Sequence, residues 1–219
     1  MNRTAIVIGA TGMVGRALLD QLLNNPHFSL VKVFVRRSTG LIHSRLREFI
    51  IDFNQPLNWK HEVQGDVLFS ALGTTLKQAG SKEAQYKIDH TYQYQFALAA
   101  SNNQVPVYVL VSSYGADPGS LIFYSRMKGE LENDIKKLPF QHIHILQPGM
   151  LEGERKEKRT AEITGIRVLK FLNRLGIAKS QKPVHANIVA RAMINASFKE
   201  EQKIQTWALG KVFQLAGEK

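Results

Sequence analysis

Tyr124 and Lys128 stand four residues apart in a stretch of helical pattern, and Ser113 lies eleven residues before the tyrosine. On a helix, positions i and i+4 share a face, so the phenol and the ammonium would act at one place. A phenol with a pKa of about 10 is a poor base at neutral pH. A neighbouring lysine charge favours its phenolate. Tyr124 would then exchange a proton with an alcohol or carbonyl oxygen as a general acid or base. Ser113 would hydrogen-bond that oxygen, whereas Ser112, next to it on a strand, points to the other side. This is the chemistry of carbonyl–alcohol interconversion. No side chain supplies the hydride it requires, so a cofactor must carry it. A Tyr-x-x-x-Lys pair alone also fits a core tyrosine with a snorkelling lysine, so the surrounding elements have to decide.

Those elements begin at the N-terminus. Thr4–Ile8 is a short apolar run that breaks into Gly9, Gly12 and Gly15, spaced three apart. Gly9 permits a tight turn, Gly12 lets a pyrophosphate approach the backbone, and Gly15 lets the following helix pack closely on its strand. The helix start offers unpaired N–H groups to an anion. Leu18, Leu19, Leu22 and Leu23 recur at helical spacing, Asn25-Pro26 stops the helix, and Val31–Val35 supplies a second strand. The order strand, glycine turn, helix, strand is that of a dinucleotide-binding unit. An NAD site wants an acid at the end of the second strand. This chain has Arg36 and Arg37, whose guanidinium forks match a 2′-phosphate. NADP(H) is therefore expected over NAD(H).

Strand and helix patterns continue to alternate, which predicts an α/β fold with a doubly wound parallel sheet and helices on both faces. Phe49–Phe53 reads as a third strand, Asp66–Leu72 as a fourth and Val105–Val111 as a fifth. A helix is expected over roughly Ala84–Asn102 and another over Tyr124–Lys137. His142–Leu146 reads as a sixth strand, closed by Pro148-Gly149. Ile163, Ile166, Leu169, Leu172 and Leu175 describe an amphipathic helix, Ala186–Phe198 a further helix, and Thr206–Leu209 a last short strand. The 219 residues read as one domain, with 150–219 contributing a small C-terminal lobe on the substrate side.

Composition excludes several classes. There is no cysteine, hence no disulfide, thiolate metal site or cysteine nucleophile. No apolar stretch approaches the ~18 residues of a membrane span, and no signal-peptide pattern precedes the first strand. These features predict a cytoplasmic location. The net charge is +11, and residues 155–182 hold nine Lys or Arg against Glu157 and Glu162. Such a patch can bind phosphate backbones, but no nucleic-acid motif accompanies it. A solvated basic face is preferred. Of seven histidines only His142 and His144 are close, and no third ligand joins them, so no metal site is expected.

Taken in order, these residues resemble the short-chain dehydrogenase/reductase superfamily, and more narrowly its atypical NAD(P)-binding members that include the Tat-interacting oxidoreductase-like proteins. The resemblance rests on Gly9-Ala-Thr-Gly12-Met-Val-Gly15, Val35-Arg36-Arg37, Ala71-Leu-Gly-Thr-Thr75, Val111-Ser-Ser-Tyr-Gly-Ala-Asp117, Tyr124-x-x-x-Lys128-Gly-Glu and Gln147-Pro-Gly149. It implies that Gly9, Thr11, Gly12, Met13, Val14 and Gly15 form the pyrophosphate turn. Arg36 would meet the 2′-phosphate with Arg37 beside it, and Leu72, Gly73 and Thr74 would flank the cofactor. Pro148 and Gly149 would pass the nicotinamide end. Ser113, Tyr124 and Lys128 would be catalytic, with Lys128 also bonding the nicotinamide ribose. Two positions depart from the group. Gln147 stands where arginine is common, and Asp89 falls where many members carry a helix asparagine that anchors a relay water.

The expected function is an NADP(H)-dependent oxidoreductase acting on an unidentified carbonyl or alcohol. The alternative is an NADP(H)-binding regulatory or interaction module with little turnover. Monomer and homodimer both remain compatible with the sequence.

Overall fold

The structure, a computed structural model, describes residues 2–152 and 184–218. The amphipathic stretch 163–175 and the basic segment 155–182 lie outside the described residues. Strands β1 (Arg3–Ile8), β2 (Phe28–Val35), β3 (Leu46–Ile50), β4 (Val67–Ser70), β5 (Val107–Val111), β6 (His142–Gln147) and β9 (Ile204–Ala208) form a seven-stranded sheet in the order β3-β2-β1-β4-β5-β6-β9. All six pairings are parallel. This is the Rossmann order, in which the direction of winding reverses between β1 and β4 and opens a crevice at their carboxyl ends. Two short strands, β7 (Leu151–Glu152) and β8 (Val184–His185), pair separately.

The period of two along β1 explains why its run is continuously apolar. Ala5 and Val7 enter one core, Ile6 and Ile8 the other. The first core lies under α1 (Met13–Asn24), which buries Val14, Leu18, Leu19, Leu22 and Leu23 on one face. The second contains Phe96 and Leu131, carried by two helices on the opposite side of the sheet.

Several boundaries differ from those the sequence suggests, each for a local reason. The third strand is Leu46–Ile50 rather than Phe49–Phe53. The Asp52 carboxylate accepts the Asn54 N–H at 2.9 Å and turns the chain out of the sheet, while Phe53 swings inward to within 5.5 Å of Phe96. The long helix expected from Ala84 is preceded by α2 (Leu76–Ala79) and starts as α3 (Lys82–Tyr86). It passes through a π-helical turn at Lys87–Thr91 and continues as α4 (Tyr92–Asn102). The widened turn buries Asp89 and His90. Helix α5 (Phe123–Lys136) matches expectation within a residue at each end.

Within 150–219, α6 (Ala186–Ala196) packs on α1. Strand β9 then completes the main sheet beside β6, and α7 (Gly210–Leu215) follows it. Among the described residues no helix is long and apolar enough to cross a membrane.

Candidate cofactor and active site

A cleft of about 1320 Å³ lies over the carboxyl ends of β1 and β4. It exceeds the roughly 300–1,000 Å³ of a drug-sized ligand's pocket, and it is long enough to touch both the glycine turn and α5. At one end Thr11, Gly12, Met13 and Val14 line it. Gly12 caps α1 with no side-chain hydrogen bond, so the first-turn N–H groups face the cleft. Gly9 has φ +83°, and a Cβ there would strike the Ala71 backbone of the neighbouring strand end. A Cβ on Gly15 would overlap the Gly9 carbonyl. These two glycines do not line the cleft; they let the turn close tightly enough to present the others. The uncapped N–H groups and the room that side chains would fill fit a dinucleotide pyrophosphate.

The opposite lip is Leu72, Gly73 and Thr74, which also line the cleft. Thr74 donates its backbone N–H to Asp89 Oδ2 at 2.8 Å. The other carboxylate oxygen, Oδ1, lies 3.0 Å from Lys128 Nζ, and both side chains are buried. Burial alone would push the Lys128 ammonium down, but the Asp89 carboxylate, and after it Tyr124, outweigh that and hold it above the usual lysine value. Lys128 Nζ sits 5.9 Å from the centre of the Tyr124 ring. Tyr124 is 40% exposed, so its phenol meets both cleft and solvent. The cleft thus holds the expected tyrosine and lysine beside the expected cofactor turn.

Other expected residues fall elsewhere. Ser112, not Ser113, lines the cleft. The Ser112 hydroxyl donates to Glu132 Oε1 at 2.5 Å, and Gln147 Nε2 donates to the same carboxylate at 2.8 and 3.1 Å. Tyr124, Lys128 and Glu132 are therefore three successive positions on one face of α5, and Gln147 serves as a Glu132 clamp. Among the described residues the Ser113 hydroxyl makes only a 3.4 Å contact, with the Tyr114 carbonyl. Pro148 accepts the Tyr114 N–H at 3.0 Å, tying the β5 and β6 ends together. Neither it nor Gly149 lines the cleft, although Leu151 beyond them does. Arg36 and Arg37 are exposed at the end of β2, in no ion pair among the described residues. Thr39 and Leu41 on the same loop reach the cleft, and Glu48 fastens that loop by accepting the Thr39 N–H at 2.7 Å.

Sequence reasoning missed the contribution of His185, Asn187 and Ile188, which line the cleft from β8 and the start of α6. No local motif marks them, because chain distant from the turn brings them there. Asp89 stands out in the sequence only as a departure from the group's asparagine. His142 and His144 stack at 6.5 Å, each facing a backbone carbonyl, and burial pushes His144 down to about 4. Among the described residues no cluster of three His, Cys, Asp or Glu could hold a metal.

The NAD(P)H-binding family profile matches residues 9–200, from the first glycine of the turn to beyond α6. The chain belongs to this family. "Protein fmp52, mitochondrial" of Aspergillus fumigatus is 37% identical over 209 residues, covering 88% of this chain and 86% of its own. "Protein FMP52, mitochondrial" of Saccharomyces cerevisiae is 39% identical over 164 residues, covering 73% and 71%. Among solved structures, MoeE5 in complex with UDP-glucose and NAD aligns with a TM-score of 0.72 at 16% identity, covering 94% of this chain and 76% of its own. A short-chain dehydrogenase/reductase superfamily protein from Agrobacterium tumefaciens with bound NAD aligns at 0.69 and 14% identity, covering 94% and 77%. The fold is that of these NAD-bound structures, as the resemblance implies, and the family is the NAD(P)H-binding one. The cytoplasmic expectation is corrected. Relatives at this level of identity carry mitochondrial names and point to mitochondria instead. Composition and the absence of cysteine report redox compatibility, which is not an address.

Proposed function

We propose that this protein is an NADP(H)-dependent oxidoreductase that interconverts a carbonyl and an alcohol, with Tyr124 as the acid/base. The observation that carries this reading is a buried, ion-paired Lys128 beside Tyr124, in the same cleft that begins at the glycine turn. The N–H groups following Gly12 would hold the pyrophosphate, and Leu72–Thr74 would flank the cofactor. Two exposed guanidinium groups at the end of β2, Arg36 and Arg37, in no ion pair among the described residues, support NADP(H) over NAD(H). When bound, the cofactor supplies the hydride. Tyr124 gives its proton to the substrate oxygen in reduction and takes it back in oxidation, re-equilibrating through its exposed side. Lys128 would stabilise the phenolate, and would bond the nicotinamide ribose of a bound cofactor. The Ser113 hydroxyl, whose only contact among the described residues is a long one to the Tyr114 carbonyl, would have to turn towards the cleft to meet the substrate oxygen.

The test is NADPH oxidation with a broad panel of aldehydes and ketones. Tyr124→Phe should lower kcat at least ~10²-fold, while NADPH Kd stays unchanged. No turnover with any member, and no effect of Tyr124→Phe, would remove the enzymatic reading. A second reading draws on the position of Ser113 outside the cleft lining. It makes the protein an NADP(H)-binding regulatory module, whose mark would be a partner affinity that changes with NADPH while hydride transfer is absent.

A further inference from the structure

Asp89 serves two donors that belong to different walls of the cleft. Its Oδ2 accepts the Thr74 N–H at 2.8 Å from the lip after β4, and its Oδ1 meets Lys128 Nζ at 3.0 Å from α5. The residue is held from behind as well. Its backbone carbonyl accepts Gln93 Nε2 at 2.6 Å, and Gln93 Oε1 accepts the Ser70 hydroxyl at 2.6 Å from the end of β4. The π-helical turn brings the carboxylate inward to reach both donors. Gly73 packs so closely that a Cβ on it would lie 3.3 Å from Asp89 Oδ1.

We propose that Asp89 is a positioning residue, whose single carboxylate fixes the cofactor-side lip at Thr74 and the Lys128 ammonium beside Tyr124 as one unit. The chemistry requires a carboxylate. Two donors face it, and an ionised aspartate offers an acceptor oxygen to each. An asparagine offers one oxygen and one NH2 group, so one of its two neighbours would meet a donor. The consequence for turnover rests on the oxidoreductase reading; the link between the two walls does not.

The groups facing Lys128 are Asp89 on the π-helical turn, and Tyr124 and Glu132 one turn away on either side along α5. Asp89 is the strongest of them in keeping the buried ammonium charged. In wild type the ammonium is held above the ordinary lysine value of about 10.4, so what it contributes is complete at neutral pH and lost only in strong alkali. Without the carboxylate, burial dominates and the charge is lost at lower pH.

Two measurements on the whole chain test this. NADPH Kd is followed by cofactor fluorescence from about pH 7 to about 9, and Thr74 amide exchange is followed by NMR without cofactor. Wild-type Kd should change less than about twofold over that range, and Asp89→Asn should weaken at least about fivefold towards the alkaline end. Asp89→Ala should speed Thr74 exchange at least about tenfold beyond any global change. In a Lys128→Met background, Asp89→Asn should add no further pH dependence. If the Asp89 variants do not fold, 15N-lysine NMR of wild type reads the pair directly, and a Lys128 signal that titrates below about pH 9 overturns the proposal. So does Asp89→Asn with wild-type Kd, wild-type pH dependence and unchanged Thr74 exchange. Wild type that fails to bind NADPH would instead sink the cofactor reading, with the Thr74 exchange still reporting on Asp89.

Discussion

The two ends of the cleft are built from different materials. The glycine-turn end is made of backbone. Gly9 and Gly15 are there for what they lack, and the helix start presents N–H groups with no side chain of its own to occupy them. The α5 end is made of buried charge, with Lys128 held by Asp89 and the nearby Glu132 bonded to Ser112 and Gln147. A backbone site is fixed by local geometry and tolerates distant change. A buried-charge site depends on every partner remaining, because an ion left alone in a low-dielectric interior is costly.

That contrast orders the expected losses. Lys128→Met should be the most damaging single change, since it strands Asp89. A cost of about 3–5 kcal/mol is expected for breaking a buried pair, measured by urea unfolding. Adding Asp89→Asn to Lys128→Met should recover much of it, because a neutral pair carries no ionic desolvation. If the double variant is no better than the single, buried charge is not what governs this end. Gly15→Ala should cost less, about 1–3 kcal/mol for forcing a methyl into an occupied space. It should weaken NADPH binding more than Lys128→Met does, since the larger effects of Lys128→Met fall on turnover and stability. Near-equal effects on NADPH Kd would blur the distinction between the ends. Smallest should be Thr75→Ala. The Thr75 hydroxyl accepts the Gln78 N–H at 3.2 Å and caps α2 behind the lip. Its loss should cost about 1 kcal/mol, visible as a small fall in Tm with little change in Kd.

The same contrast explains what could be read from the chain. The glycine turn, α1 and the parallel order of strands are local patterns of period and turn chemistry, and they stand in the structure nearly as the sequence implies. Tyr124 and Lys128 were legible because four residues on a helix bring them to one face. Asp89 was not, since its partners lie 15 and 39 positions away in Thr74 and Lys128, and the π-helical turn that aims it has no signature in Lys87–Thr91. Ser112 and Ser113 were distinguished by strand alternation alone, and alternation ends where the strand does. Beyond Val111 the Glu132 carboxylate decides which hydroxyl is used up. His185 and Asn187 entered the cleft from β8 and α6, contacts that a linear pattern does not encode.

Under the proposed reading, Arg36 recognises the 2′-phosphate of an NADP(H) bound in the cleft. Calorimetric titration of wild type and Arg36→Ala with NADPH and NADH tests it most directly. Wild type should bind NADPH at least about tenfold more tightly than NADH, a difference of about 1.4 kcal/mol, and Arg36→Ala should erase that preference while leaving NADH affinity unchanged. Equal affinity for the two cofactors in wild type, or a preference that survives Arg36→Ala, would contradict it.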